Sequence, residues 1–167
     1  MSTYNRIGTS GKREEVLATE VSTGAAEAGD IPRLDSTGRL DNSLLPVGIG
    51  ADTKMLVATE ALSAGDYVNI FDDAGTASVR LADRTNGRRA HGFVNDAVAV
   101  AAVGEVFFEG PNTGLTGLTV GTQYFLGAAG AVEETPTTTS GEILQCLGVA
   151  CSTTEIAFEA EEPIIRA

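Results

Sequence analysis

The sequence predicts an all-β protein, a compact β-sandwich or β-barrel domain with an extended N-terminal arm. Three observations predict it. After residue 50 the chain is a run of short Val-, Ile-, Phe- and Thr-rich segments. Turn residues cut these segments roughly every eight to twelve positions, the pattern of sandwiches and barrels. Twenty glycines are far more than helices tolerate and suit many tight turns. Before the seam, the chain is polar, rich in Gly and Asp, and too sparse in apolar residues to build a core alone. The expected division is an arm over 1–50 and a β domain over 51–167.

The arm comes first. Residues 11–22 (GKREEVLATEVS) are expected to form a short helix, although few apolar positions would anchor it. From Gly24 the composition favours extended or turning backbone. Next come Ile31-Pro32, Leu34-Asp35, a turn through Ser36-Thr37-Gly38, Leu40-Asp41 and Leu44-Leu45-Pro46. Asp and Ser side chains can cap these turns, and Gly38 can take a positive φ. Pro32 and Pro46 lack an amide donor and push the preceding residue towards extended geometry. Ile31, Leu34, Leu40, Leu44 and Leu45 are apolar pegs, too sparse for an independent core and suited to docking into grooves on another surface. Arg6, Lys12 and Arg13 add cations for an acidic partner. Such an arm on a compact domain is the plan of a chain that finishes folding against neighbours. It points to assembly before catalysis.

The β domain follows in order. Lys54–Glu60 is a first strand. Asp66–Phe71 alternates, with Tyr67, Asn69 and Phe71 on one face and Val68 and Ile70 on the other. Asp72-Asp73-Ala74-Gly75 is a turn, and Thr76–Ala82 the hairpin partner. After the Thr85-Asn86-Gly87 turn come Ala90–Val94, Ala97–Val100 and Glu105–Glu109. The last expected strands are Gln123–Leu126, Glu142–Cys151, Glu155–Glu159 and Pro163–Arg166.

Internal similarities run through these segments. Leu62-Ser-Ala-Gly65-Asp-Tyr67 is similar to Leu118-Thr-Val-Gly121-Thr-Gln-Tyr124, and Gly92-Phe93-Val94 to Gly148-Val149-Ala150, at an offset of 56. Glu105-Val-Phe-Phe108-Glu109 matches Glu155-Ile-Ala-Phe158-Glu159 at an offset of 50, so one loop differs in length. Two readings are open. Either two related β motifs pack face to face, or β hairpins reuse one grammar.

Composition limits the function. At 43% hydrophobic the chain can bury a core, which rests on Val, Ala, Leu and Ile because Trp is absent and aromatics are 5%. A net charge of −12 repels nucleic acid and anionic lipid, and it also serves solubility. No stretch approaches the roughly 20 apolar residues of a membrane span, and the N-terminus has no apolar signal core. A soluble protein made in a cytoplasm is expected. Cys146 and Cys151 make no disulfide framework. On a single strand their spacing puts them on opposite faces, as small core residues or free thiols.

Catalytic grammar is weak. His91, in RRAHGFV, heads an apolar strand and reads as a hydrogen-bonded structural residue. One His and two Cys cannot close a zinc site. Asp72-Asp73, Glu133-Glu134 and Glu161-Glu162 lack the spacing of a calcium loop and read as solvated charges. No phosphate cradle and no nucleophile elbow occurs. No catalytic set, metal or cofactor is expected. Arg80, Arg84, Arg88 and Arg89 form the one basic cluster. Either it meets acidic patches on a neighbouring copy, or it is a solvated loop with local ion pairs.

The residues also resemble a family. GDIPRLDSTGRLDNSLLP resembles the linker segment of many tailed-phage virion proteins. MLVATEALSAGDYVNIFDDAG, ADRTNGRRAHGFVNDAVA, GLTGLTVGTQYFLGAAG and GEILQCLGVACSTTEIAF resemble β domains of phage structural proteins. These include capsid decoration (cement) proteins, head fibres and tail-fibre modules. The likeness runs from about Gly29 onward. It implies a homotrimer on the outer capsid surface, made in the host bacterial cytoplasm. The implied partner is the major capsid protein, with arms reaching across capsomer boundaries. The chain has no long heptad or collagen-like shaft, which favours a cement role over a fibre. The alternative is a host-receptor or glycan-binding module of a head or tail fibre. Sugar sites usually stack a ring on an aromatic, and the lack of Trp counts against that alternative.

Overall fold

The computed structural model describes residues 3–45 and 52–167. The expectation at Pro46 lies outside the described residues. The chain divides into two compact units, Met1–Gly50 and Ala51–Ala167.

In the first unit, β1 (Thr3–Ile7) pairs antiparallel with β2 (Arg13–Leu17), and Thr3 lies opposite Leu17 and Ile7 opposite Arg13. The expected helix over 11–22 is therefore wrong, since a strand occupies its centre. The reason is local. Gly11 takes φ 73° and, with Gly8, closes the hairpin tip, which lets Arg6 meet its cross-strand partner Glu14 at 2.7 Å. No apolar stripe at helical spacing competes with that pairing. A short parallel bridge sets Thr19 beside Pro32. Asp35 accepts from the N–H groups of Thr37 and Arg39 and from the Thr37 hydroxyl, closing the predicted turn with Gly38 at φ 81°. Asp41 caps a 3-10 turn over Asn42–Leu44. No described side chain of this unit is buried.

Among its described residues, the second unit's regular structure is all β apart from one 3-10 turn over Arg84–Asn86. β3 (Thr53–Ala58), β4 (Tyr67–Asp73), β5 (Thr76–Leu81), β6 (Gly92–Phe93) and β7 (Val103–Phe107) form a closed barrel, so the predicted β class resolves to a barrel here. β8 (Gly110–Asn112), β9 (Gln123–Leu126), β10 (Val132–Glu133), β12 (Cys146–Ala150) and β13 (Ile156–Phe158) form an open sheet. Outside both sheets, β11 (Ile143–Leu144) pairs with β14 (Ile164–Ile165).

Three expectations need correction. Ala97–Val100 is not a strand; only Val98 bridges to Leu62, and Ala101 turns the chain at φ 63°. Glu142–Cys151 is not one strand, because Gln145 breaks it to bond the backbone of Ala90 with both ends of its amide, at 2.8 and 2.9 Å. Cys146 and Cys151 do not share a strand, and the register shifts between Cys146 and Gly148, so the face argument fails. Both thiols are free. β8 and β10 were not anticipated; each is short, and β8 contains Pro111.

The two sheets are copies of one plan. Beginning from their hairpin strands, their orders are β5-β4-β6-β7-β3 and β10-β9-β12-β13-β8, the same topology in chain order. Detailed bonds repeat too. Gly65 N–H donates to Val94 O at 2.8 Å, and Gly121 N–H to Ala150 O at 2.8 Å. The interiors match at Leu62 and Leu118, Val68 and Tyr124, Val94 and Ala150, Val106 and Ile156. This favours repeated motifs over shared hairpin grammar. It also corrects one pairing. Val68 lies opposite Gly92 and Tyr124 opposite Gly148, so the counterpart of Tyr124 is Val68 and that of Tyr67 is Gln123.

The copies differ in closure. The first closes through a parallel pair, Val57–Ser78 and Ala58–Val79. The second stays open, and the outer face of the first packs into it. Tyr67, Phe93 and Phe107 lie side by side across β4, β6 and β7. They join one core with Leu126, Leu147 and Phe158, and Val132 packs against it. The Phe158 ring lies 5.2 Å from Tyr67 and 5.7 Å from Phe93, edge to face. The counterpart row on the second copy is Gln123, Val149 and Ala157, and it is exposed. Aromatics stand where the face is covered and small or polar residues where water meets it, as in the last unit of a repeat array.

Candidate interaction surfaces

In the first unit, Asp30 is the hub. It accepts from Tyr4 Oη at 3.3 Å, Arg6 Nη1 at 3.0 Å and Thr19 Oγ1 at 3.3 Å. Arg33 pairs with Glu20 and donates to Ala18 O at 3.1 Å. This polar network, not a core, holds the backbone. Ile31, Leu34 and Leu40 remain 50%, 54% and 45% exposed, and Leu44 and Leu45 are half-buried. Arg6 is committed to Glu14 and Asp30, and the hydrogen bond to Glu14 raises its pKa. Lys12 and Arg13 have no ion-pair partner among the described residues. Sequence reasoning missed Ile7, Leu17 and Val21, which are also exposed. Reading 3–17 as two alternating strands around Gly8-Thr9-Ser10-Gly11 is the signal that finds Ile7 and Leu17.

The basic cluster is spread over the second unit, and its members find partners there. The Arg80 guanidinium sits 4.2 Å above the Phe71 ring, and its Nε donates to Asn69 at 3.1 Å. Arg84 pairs with Glu133, and its Nε lies 3.0 Å from Glu142 but off the line of a hydrogen bond. The hydrogen bond to Glu133 raises its pKa. Arg88 reaches Glu60 at 3.1 Å and Arg89 reaches Glu162 at 2.7 Å.

His91 sits in a cavity of about 130 Å³ with Arg89, Gln145 and Glu162. Its Nδ1 lies 2.9 Å from the Ile70 N–H and its Nε2 lies 2.8 Å from Arg89 Nε. The Asn69 amide nitrogen also lies 3.4 Å from Nδ1, so three donors face a neutral ring that has one acceptor nitrogen. Burial and then Arg89 lower its pKa, while Glu162 opposes them. No serine or cysteine bonds the ring among the described residues. No group of three or more metal-ligating side chains occurs among the described residues.

A second concavity, of about 300 Å³, lies beside β3 and β7. Met55, Val98, Ala102, Val103 and Phe107 line it, with Asp96 and Glu105 among them.

Comparison with solved structures finds a partial likeness, described as "The crystal structure of head fiber gp8.5 N base in bacteriophage phi29". The identity is 12% and the TM-score 0.45, over 68% of this chain and 99% of that one. No family profile and no curated protein matches the chain.

Proposed function

We propose that this chain is a structural protein of a tailed-phage virion, and within that class a capsid decoration (cement) protein. One observation carries the reading. Residues 3–45 hold a defined shape through polar bonds yet bury no side chain, leaving Ile7, Leu17, Ile31, Leu34 and Leu40 in water. A unit built this way gains its apolar burial from a partner. Completing the burial of each half-exposed peg contributes about 1 kcal/mol. The sequence likeness of GDIPRLDSTGRLDNSLLP to phage linker segments supports the same partner class.

In this reading a homotrimer sits on the outer surface of the head and contacts the major capsid protein through Ile31, Leu34, Leu40, Leu44 and Leu45. It works by binding rather than by catalysis. Contacts that exist only on the expanded shell stabilise that shell by mass action. The glycan-binding alternative is less well supported, because Tyr67 and Tyr124 are buried and Tyr4 is half-buried. None offers an open ring for a sugar.

Co-sedimentation with mature and immature shells of the parent virus tests the proposal. Saturable binding to mature shells is expected, and it should vanish when residues 1–46 are removed. Undiminished binding by the shortened protein would rule out the arm as the contact. Absence of any shell binding would rule out the cement role.

A further inference from the structure

The internal duplication provides a control for reading the surface. Where the copies share backbone but not side chains, one does something the other does not. The largest difference is the connection from β6 to β7. Val94 to Val106 spans twelve residues, and their counterparts Ala150 to Ile156 span six. The extra residues build one wall of the 300 Å³ groove, through Asp96, Val98 and Ala102. The opposite wall holds Met55 and Val103, 61% and 56% exposed. Register makes Thr113 the counterpart of Met55, since Lys54 lies opposite Val106 and Asn112 opposite Ile156. The apolar groove is thus a property of the first copy alone.

Its charge restricts the occupant. Asp96 and Glu105 have no cation partner among the described residues, and Glu105 accepts only from Thr53, at 2.8 Å. The unit has six basic against sixteen acidic residues, a net −10. Two such grooves repel each other. The chemistry suits an aliphatic side chain flanked by cations. This chain presents that combination. Ile7 lies directly opposite Arg13, so both share one hairpin face, and Lys12 adjoins them at the tip. Ile7 is 73% exposed.

We propose that the β1–β2 tip of one chain docks into the β3–β7 groove of a second, identical chain. Ile7 sits between Val98 and Val103, and Lys12 and Arg13 face Asp96 and Glu105. The inference rests on the homo-oligomer in the reading above and assigns its contact. It leaves Ile31, Leu34 and Leu40 free for the shell.

Cross-linking tests it. In a Cys146→Ser, Cys151→Ser background, chains bearing Ile7→Cys are mixed with chains bearing Val103→Cys and oxidised. A mixed disulfide dimer in excess of the share that random pairing of the two chains gives is expected. No such excess, or a double variant that closes entirely within one chain, overturns the proposal. Charge reversal is the second measurement, with circular dichroism checking the fold. Glu105→Arg should weaken association roughly tenfold by light scattering, and adding Arg13→Glu should restore it. Failure of that restoration also overturns it. A trimer without the mixed disulfide sinks the docking but not the cement reading. A monomeric wild-type protein sinks the docking and the trimer together, while co-sedimentation still decides shell binding.

Discussion

At the scale of single residues, His91 and Tyr67 are the informative side chains. Only the neutral imidazole can accept the Ile70 N–H at Nδ1, so protonation costs that bond and adds charge beside Arg89. The folded pKa lies below the ordinary 6.5. Between those two values the unfolded chain binds more protons, so stability falls as pH drops below about 6.5. As the chain's one histidine, its NMR titration is unambiguous, and a midpoint above 6.5 would contradict this account. Tyr67 is buried near Asn112, yet its hydroxyl has no aligned partner. Burial holds its pKa well above the ordinary tyrosine value. Tyr67→Phe should leave the Tm unchanged or raise stability by up to about 1 kcal/mol. A loss above that size would show that Asn112 bonds the hydroxyl. His91 was legible in the sequence as a structural residue, because an imidazole heading an apolar strand usually finds backbone partners. The orphaned Tyr67 hydroxyl was not, because it depends on what the second copy places beside it.

At the scale of elements, a close backbone approach joins the two copies. A Cβ at Gly114 would lie 2.3 Å from Gly65 N, and one at Gly65 would lie 2.7 Å from the Gly114 carbonyl. Gly114→Ala should therefore destabilise the unit by about 1–3 kcal/mol, measured by urea unfolding. A neutral result would mean that the copies can slide apart. Gln145 tests the same seam by hydrogen bonding. Gln145→Ala leaves the buried Ala90 N–H and C=O without their partner, at about 1–3 kcal/mol per orphaned group. The strands from Tyr67 to Leu81 were legible because their alternation and the Asp72–Gly75 turn agree. Ala97–Val100 misled because four small apolar residues imitate a strand, while Ala97, Val98 and Ala99 line the groove instead of extending a ladder. The helix expected over 11–22 misled because charge-rich segments satisfy helix propensity and cross-strand ion pairing alike. The Arg6–Glu14 contact that decides between them draws on a residue outside the 11–22 segment.

At the scale of the whole molecule, charge and core are unevenly divided. The first unit has five basic against seven acidic residues, a net −2, and no buried side chain among those described. The second carries −10 and the buried core. Residues 51–167 should thus unfold cooperatively without the first unit, with a Tm close to that of the full chain. A large fall would show that the first unit supports the core. Phe158→Ala removes the ring that meets both Tyr67 and Phe93 and should cost about 3–5 kcal/mol by chemical denaturation. A cost near that of a surface change would mean that the copies are only loosely docked.

The sequence by itself determined the β class, the seam near residue 50, most strand positions and the exposed pegs Ile31, Leu34 and Leu40, and it raised the repeat as one of two open readings. Each of these follows from local pattern: alternation, turn chemistry, apolar density and self-similarity. Only the tertiary structure decided that one copy closes while the other opens to receive it. It also decided that Tyr67 and Tyr124 are not counterparts, that Arg6, Arg84, Arg88 and Arg89 are paired within the chain, and that a groove lies beside β7. Those outcomes depend on register and on contacts between segments far apart in the chain. A one-residue shift in register reverses every side chain, and residue pattern alone does not set it.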